Sequence, residues 1–178
     1  MGAGRTFSTA VGGHSCLLGS RAVWNRAPFT VAAWVRPANV TGGCILAAFD
    51  SSVANKYFRL ELKSTGTVAI SGANTTAFEA VSTTTWSSNT WVHAAGTFAS
   101  STFSAYLNGG GKGTTGSASV PTITTADKTS AGRLQHSAPT LPISAVFGTL
   151  AVWNGALTDE EILQLERGEH PKRVRPNH

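Results

Sequence analysis

The chain has 178 residues, a length that suits one domain able to bury a substantial core. Hydrophobic residues make up 41% and charged residues 13%, a balance that excludes a disordered chain. The formal charge of +5 is uneven: residues 1–166 carry ten Lys/Arg against eight Asp/Glu, whereas Arg167, Lys172, Arg173 and Arg175 face only Glu169 beyond them. The cations of the body are scattered rather than clustered with aromatics, so no nucleic-acid partner is expected. No run reaches the roughly 20 apolar residues of a membrane-spanning helix, so no membrane span is expected. The opening MGAGRTFSTAVGG lacks the apolar stretch of a signal peptide, and the chain is expected to fold in a cytoplasm.

In chain order, a first short strand is predicted at His14–Leu18, after a Gly-Gly turn. Phe29–Arg36 is the clearest strand: Phe29, Val31, Ala33 and Val35 alternate with Thr30, Ala32, Trp34 and Arg36. Pro37, which has no N–H for the ladder, ends it. Gly43–Phe49 is a continuous apolar run, expected to be buried on both faces. Tyr57–Leu62 alternates again and turns through Ser64–Gly66 into Val68–Ser71, with a further strand at Phe78–Ser82. Trp91–Phe98 and Thr102–Leu107 pair as a hairpin, and Asn108-Gly109 supplies the two positive φ values of a second turn. Gly109–Gly116 has no apolar periodicity and reads as a loop or lid. Ile143–Trp153 is the last strand, with Gly148 marking a bulge or a close backbone approach.

A helix follows at once. Thr158 is its N-cap, Glu161 completes a capping box, and Leu157 with Ile162 forms a hydrophobic staple. Asp159, Glu160 and Glu161 put negative charge at the positive end of the helix dipole, and Gly168 supplies a left-handed stop. Cys16 and Cys44 sit in apolar, strand-like surroundings and are expected as buried free thiols rather than a disulfide framework.

Three of these segments, FTVAAWVRP at Phe29–Pro37, WVHAAGTFASSTFSAYLNG at Trp91–Gly109 and LAVWNGALTDEEILQL at Leu150–Leu165, carry a resemblance in their fixed order. Together they resemble the laminin-G-like branch of the concanavalin A-like lectin/glucanase superfamily, from about Phe7 to Gly168. The resemblance implies an all-β, pentraxin-like jelly roll of two antiparallel sheets with one short C-terminal helix. It assigns residues 1–168 to the sandwich and 169–178 to an extended basic tail. Because such folds host lectins, glycosidases and scaffold modules alike, it leaves the function open.

Relatives that bind calcium gather several oxygen ligands at a loop rim. Asp50 and Asp127 are loop acids with nothing adjacent to either in the sequence, and no cofactor is expected, calcium included. Glycosidases of this fold need a pair of carboxylates. Glu61 is flanked by Leu60 and Leu62, Glu79 is isolated, and the acids of 159–166 belong to the helix. No Gly-x-Ser-x-Gly elbow, phosphate loop or His-x-x-x-His pair is present, so no enzyme is expected.

Trp24 and Trp86 lie in turn-rich stretches, the latter with Asn89 nearby. Such a Trp with an amide beside it either forms a sugar platform or plugs the end of the sandwich, and both readings stay open here. Trp34, Trp91, Trp153 and His93 fall in strands, where packing and structural hydrogen bonding are the default. The tail GEHPKRVRP resembles the linker after laminin-G-like modules of phage and environmental virion-associated proteins. Lys172, Arg173 and Arg175 would then dock an acidic neighbour. The main expectation is a non-catalytic virion surface or capsid-decoration protein, oligomeric in its assembly and made in a host cytoplasm. The alternative is a carbohydrate-binding module of a secreted or surface protein, extracellular and bound to glycan.

Overall fold

The alternation read at Phe29–Arg36 forms strand β3 (Phe29–Pro37), whose Phe29, Val31, Ala33 and Val35 are all buried in the main core. It lies within one of two antiparallel sheets in a computed structural model that describes residues 5–7, 16–17, 28–74, 76–99, 101–116, 125–135, 140–170 and 174. The other strands, in chain order, are β1 (Arg5–Phe7), β2 (Cys16–Leu17), β4 (Gly43–Phe49), β5 (Lys56–Leu62), β6 (Val68–Asn74) and β7 (Thr76–Val81). They continue as β8 (Val92–Ala99), β9 (Thr102–Leu107), β10 (Gly110–Gly116), β11 (Lys128–Ala131) and β12 (Ala145–Trp153), and helix α1 (Asp159–Glu166) closes the series. Sheet A has the order β1-β12-β3-β8-β9-β10, and sheet B the order β2-β11-β4-β5-β6-β7. The expected two-sheet jelly roll with one short helix is what forms.

Alternate residues of both sheets point between them, as the two-residue period of a strand requires. Phe29 and Phe98 of sheet A meet Phe58 and Phe78 of sheet B, with Phe29–Phe58 ring centroids 5.2 Å apart and Phe78–Phe103 3.8 Å apart. Such ring pairs add roughly 0.5–1.5 kcal/mol each beyond the area they bury. Gly96 faces Ile70 across the sheets, where a Cβ would come within 2.8 Å of the Ile70 Cβ.

The predicted loop or lid at Gly109–Gly116 is corrected: Gly110–Gly116 is strand β10, paired with β9 around a register shift. Its glycines hide any apolar pattern for a steric reason. A Cβ on Gly113 would collide with the Val81 carbonyl of β7, and Thr83 N–H donates to Gly111 O at 2.8 Å. The two sheets meet along this edge. Strands β1 and β11 were not foreseen, being three and four residues long, too short to show a period. Of the predicted His14–Leu18 strand, Cys16 and Leu17 pair with β11, and the remainder lies outside the described residues.

β4 is buried along its whole length, inside by the sandwich and outside by Leu134 and Leu141, which pack on Cys44, Ala47 and Phe49. Cys44 is a free thiol there, and burial pushes its pKa far up, which makes it inert as a nucleophile. The irregularity expected at Gly148 is a register shift between Phe147 and Leu150 in the β12–β3 pairing. The capping box at Thr158 and Glu161 is present in both directions. At the other end Gly168 (φ +93°) donates to Leu165 O and Glu169 to Gln164 O, the two bonds of a Schellman stop.

Candidate functional site: an aromatic cleft on the outer face of sheet A

The outward residues of β3 are Thr30, Ala32, Trp34 and Arg36. In register, Ala32 lies between Ala95 of β8 and Ala151 of β12, and Trp34 stands opposite His93. The three alanines make a shallow seat. Helix α1 lays Ile162 and Leu165, with Leu157 before it, onto Ala32, Ala95, Tyr106 and Trp153. Polar bonds fix the helix in place. Buried Thr30 donates through Oγ1 to Gly155 O and accepts from Leu157 N–H, both at 2.8 Å. Tyr106 O–H donates to Asp159 at 2.8 Å, and the Lys112 ammonium reaches both Asp159 oxygens at 2.8 and 3.0 Å. Lys112 above all holds the Asp159 carboxyl below the usual carboxylate range.

The C-terminal end of α1 and the β3–β8 floor enclose a half-open cleft of about 140 Å³. Trp34, His93, Ala32 and Ala33 come from the floor and Thr149, Ala151 and Trp153 from β12. Leu165, Gly168, Glu169 and His170 come from the helix end and the turn after it. Beside the cleft, a Cβ on Gly148 would lie 3.3 Å from Trp34 Cβ and 3.4 Å from Trp91 Cζ3, so the bulge lets the Trp91 ring approach the backbone next to Trp34. Trp91 is 36% exposed, and the Arg36 guanidinium stands 5.9 Å over its ring.

His93 is the buried polar group of this cleft, 2% exposed, with its ring 5.4 Å from that of Trp34. Its backbone is pinned: the N–H donates to Asn108 Oδ1 at 2.9 Å and the carbonyl accepts from Asn108 N–H at 2.8 Å. Asn108 and Gly109 have φ +53° and +70°, as the turn requires, and a Cβ on Gly109 would press within 2.9 Å of Leu163 and Glu166 of the helix. Burial lowers the His93 pKa to about 4, so the ring is neutral at neutral pH. Its Nδ1 has no hydrogen-bond partner among the described residues.

The outer face of sheet B is built on charge. Arg59 places Nε 2.9 Å and Nη2 3.1 Å from the two oxygens of Glu61, which is 2% exposed. Ser71 Oγ donates to Glu61 at 3.4 Å, and Lys63 lies 3.8 Å from Glu61 and 2.8 Å from Glu79. Glu79 is therefore not isolated, as the sequence implied: β5, β6 and β7 bring it beside Glu61 through Lys63. Glu61 itself is enclosed by Arg59, Ser71 and Lys63.

The two loop acids are also brought together. Asp127 accepts from Ser51 N–H and Oγ at 2.8 and 2.7 Å, and Asp50 from Ser52 N–H and Oγ at 2.9 and 2.6 Å. Bonds from Ser52 and Thr125 hold the Asp50 pKa down at about 2. Both Asp127 oxygens and Asp50 Oδ1 thus accept from serines, and among the described residues no three His, Cys, Asp or Glu side chains group to hold a metal ion.

Of the two readings left open for Trp86, sugar platform or end plug, the geometry favours the plug. Trp86 is 5% exposed within the main core, its indole N–H donating to Thr67 O at 3.1 Å. It plugs the end of the sandwich and has no face free for a sugar. Asn89 is exposed in a turn at φ +60°, its N–H donating to Pro37 O at 2.7 Å. Trp24, Lys172, Arg173 and Arg175 lie outside the described residues. The tail's described residues do not extend away from the body. Glu169 and His170 line the cleft, and Val174 packs on the cluster beneath α1. Sequence reasoning gave Trp34, Trp91 and His93 to packing. The available signal was parity, since Trp34 shares a strand face with charged Arg36.

Two six-stranded antiparallel sheets packed face to face, with a helix on one outer face, define a jelly-roll class of β-sandwich. A laminin G family model, described as the concanavalin A-like lectin/glucanases superfamily, matches residues 11–163, and the chain belongs to that family. No curated protein sequence matches it. Among solved structures it is similar to the CBM40 domain of the Ruminococcus gnavus IT-sialidase bound to α2,3-sialyllactose, with 14% identity and a TM-score of 0.73, over 93% of this chain and 94% of that one. It is similar to domain 4 of AbnA, a GH43 extracellular arabinanase of Geobacillus stearothermophilus, in complex with arabinotriose (17% identity, TM-score 0.63, 78% and 66% covered). The SAP-like pentraxin of Limulus polyphemus gives 18% identity and a TM-score of 0.62, with 78% and 69% covered. The chain spans only 27% of the NanB sialidase of Streptococcus pneumoniae, which it resembles with a TM-score of 0.72 at 13% identity over 91% of its own length. At these identities the likeness is one of fold. Among the described residues no helix is long and apolar enough to cross a membrane.

Proposed function

We propose that this chain is a non-catalytic carbohydrate-binding module that holds its glycan in the sheet A cleft. The observation that carries the reading is the composition of the cleft: indole surface from Trp34 and Trp153, with a few polar groups at His93, Thr149 and Glu169. A small-molecule site is typically a concave, mostly apolar surface with a small number of fixed polar groups. A sugar ring matches that surface, with an apolar C–H side for an indole and hydroxyls for the imidazole, threonine and carboxylate. Two of the fold neighbours were solved with oligosaccharides, which supports the same reading. Particle decoration, the main expectation from the tail, is set second, because Val174 turns back onto the body instead of reaching for a neighbour.

The test is a glycan array followed by calorimetry on the best ligand. Trp34→Ala should weaken binding at least about tenfold, or 1.4 kcal/mol. Tyr57→Ala, on the outer face of sheet B, should leave it unchanged. Failure of the folded protein to bind any glycan rejects the reading.

A further inference from the structure

The inference here deepens the glycan-binding reading and rests on it. The cleft is small: about 140 Å³, close to the roughly 150 Å³ of a cavity that holds one benzene-sized ring. Walls rise on separate sides, from β12 at Thr149 and Ala151 and from the helix end at Leu165 to His170. A pocket of that size suits the end of a glycan rather than a stretch of chain passing through. The polar groups define what kind of end it is. Glu169 carries the one carboxylate among the lining residues and no Lys or Arg joins it there, which disfavours a carboxylate or sulfate; His170 is the other titratable residue of that wall, and His93 presents an uncharged ring. Nδ1 of His93 is buried and has no hydrogen-bond partner among the described residues, and leaving such an atom unpaired is costly. A sugar hydroxyl both donates and accepts, so it satisfies a neutral imidazole nitrogen in either tautomer.

We infer that the cleft takes a terminal, uncharged sugar ring, and that His93 is the group that hydrogen-bonds its hydroxyl. His93→Phe keeps a ring of similar shape and removes the unpaired polar atom, and His93→Gln keeps a polar side chain. Calorimetry with arabinotriose, free arabinose, galactose and mannose, and α2,3-sialyllactose, together with the array's best glycan, reads the result.

The expected outcome has three parts. Uncharged ends bind and α2,3-sialyllactose does not, and a free monosaccharide competes with the longer ligand. His93→Phe, with an unchanged fold by circular dichroism, loses at least tenfold in affinity. His93→Gln recovers part of that loss. A preference for the sialylated end, or wild-type affinity in folded His93→Phe, overturns the inference while leaving glycan binding intact. If His93→Phe does not fold, the Gln variant and the preference between charged and uncharged ends decide. If no glycan binds at all, the glycan reading itself falls, and this inference with it.

Discussion

The two outer faces of the sandwich resolve the same problem in opposite ways. Sheet B carries ionisable residues outward at Arg59, Glu61, Lys63 and Glu79, and each charge finds its partner on a neighbouring strand or two residues along. Sheet A carries alanines and indoles outward, and a helix covers the alanines but stops before Trp34 and His93. On the first face each of these four charges lies within ion-pair distance of an opposite one. The second is left with an aromatic cleft and an imidazole nitrogen that has no hydrogen-bond partner among the described residues. Polar groups that are satisfied within the fold serve stability, whereas a buried group without a partner at the wall of a cleft points to a ligand.

The largest expected effect tests the facing on which that contrast depends. If Val31 is inside and Trp34 outside, Val31→Asp buries an unpaired charge and should cost more than about 4 kcal/mol in chemical denaturation. A loss below about 1 kcal/mol would reverse the faces of β3. Next, Glu61→Ala strands the Arg59 guanidinium, and a loss of about 3 kcal/mol is expected, because removing one partner of a buried pair leaves its charge uncompensated. Glycan affinity, measured where the variant is folded, should not change; a parallel fall would move the site to sheet B.

A similar amount is expected from pH. Burial lowers the His93 pKa to about 4 against an ordinary value near 6.5, so between these values the unfolded chain holds the proton. The contribution of neutral His93 is therefore complete above about pH 6.5 and is lost as pH falls toward 4, amounting to about 3 kcal/mol. Urea titrations across this range should show the slope in the wild type and a flatter profile in His93→Phe. Equal slopes would mean that His93 is not held neutral. The smallest effect concerns the tail. Ending the chain at Gly168 removes the packing of Val174, about 1 kcal/mol, and also the Glu169–His170 wall. Stability should fall slightly and glycan affinity clearly. Binding that survives truncation unchanged would place the ligand elsewhere.

The fold was legible wherever local chemistry decides conformation. The β3 alternation, the Asn108-Gly109 turn and the Thr158–Glu161 capping box each specify their geometry within ten residues, and each forms as read. β10 was not legible, because its glycines answer to β7, a partner some thirty residues away in the chain. The site was the hardest part. The turn-rich stretch around Trp86 left a platform and an end plug both open, and only the assembled sandwich, where its indole N–H closes on Thr67 O and the ring fills the core, separates them. Trp34 and His93 looked like packing because their pairing, and the end point of α1 above them, exist only after β3, β8 and the helix are assembled. The same holds for Glu61 and Glu79, which the sequence separates and three strands bring together.

The most direct measurement is a backbone and indole NMR titration with the strongest ligand from the glycan array. The predicted result is a set of shifts confined to Ala32, Trp34, His93, Thr149, Ala151 and the turn at Gly168–His170, with Tyr57, Arg59 and Ser71 unmoved. Shifts concentrated on Tyr57, Arg59 and Ser71, with Trp34 and His93 silent, would contradict the assignment of the site to sheet A.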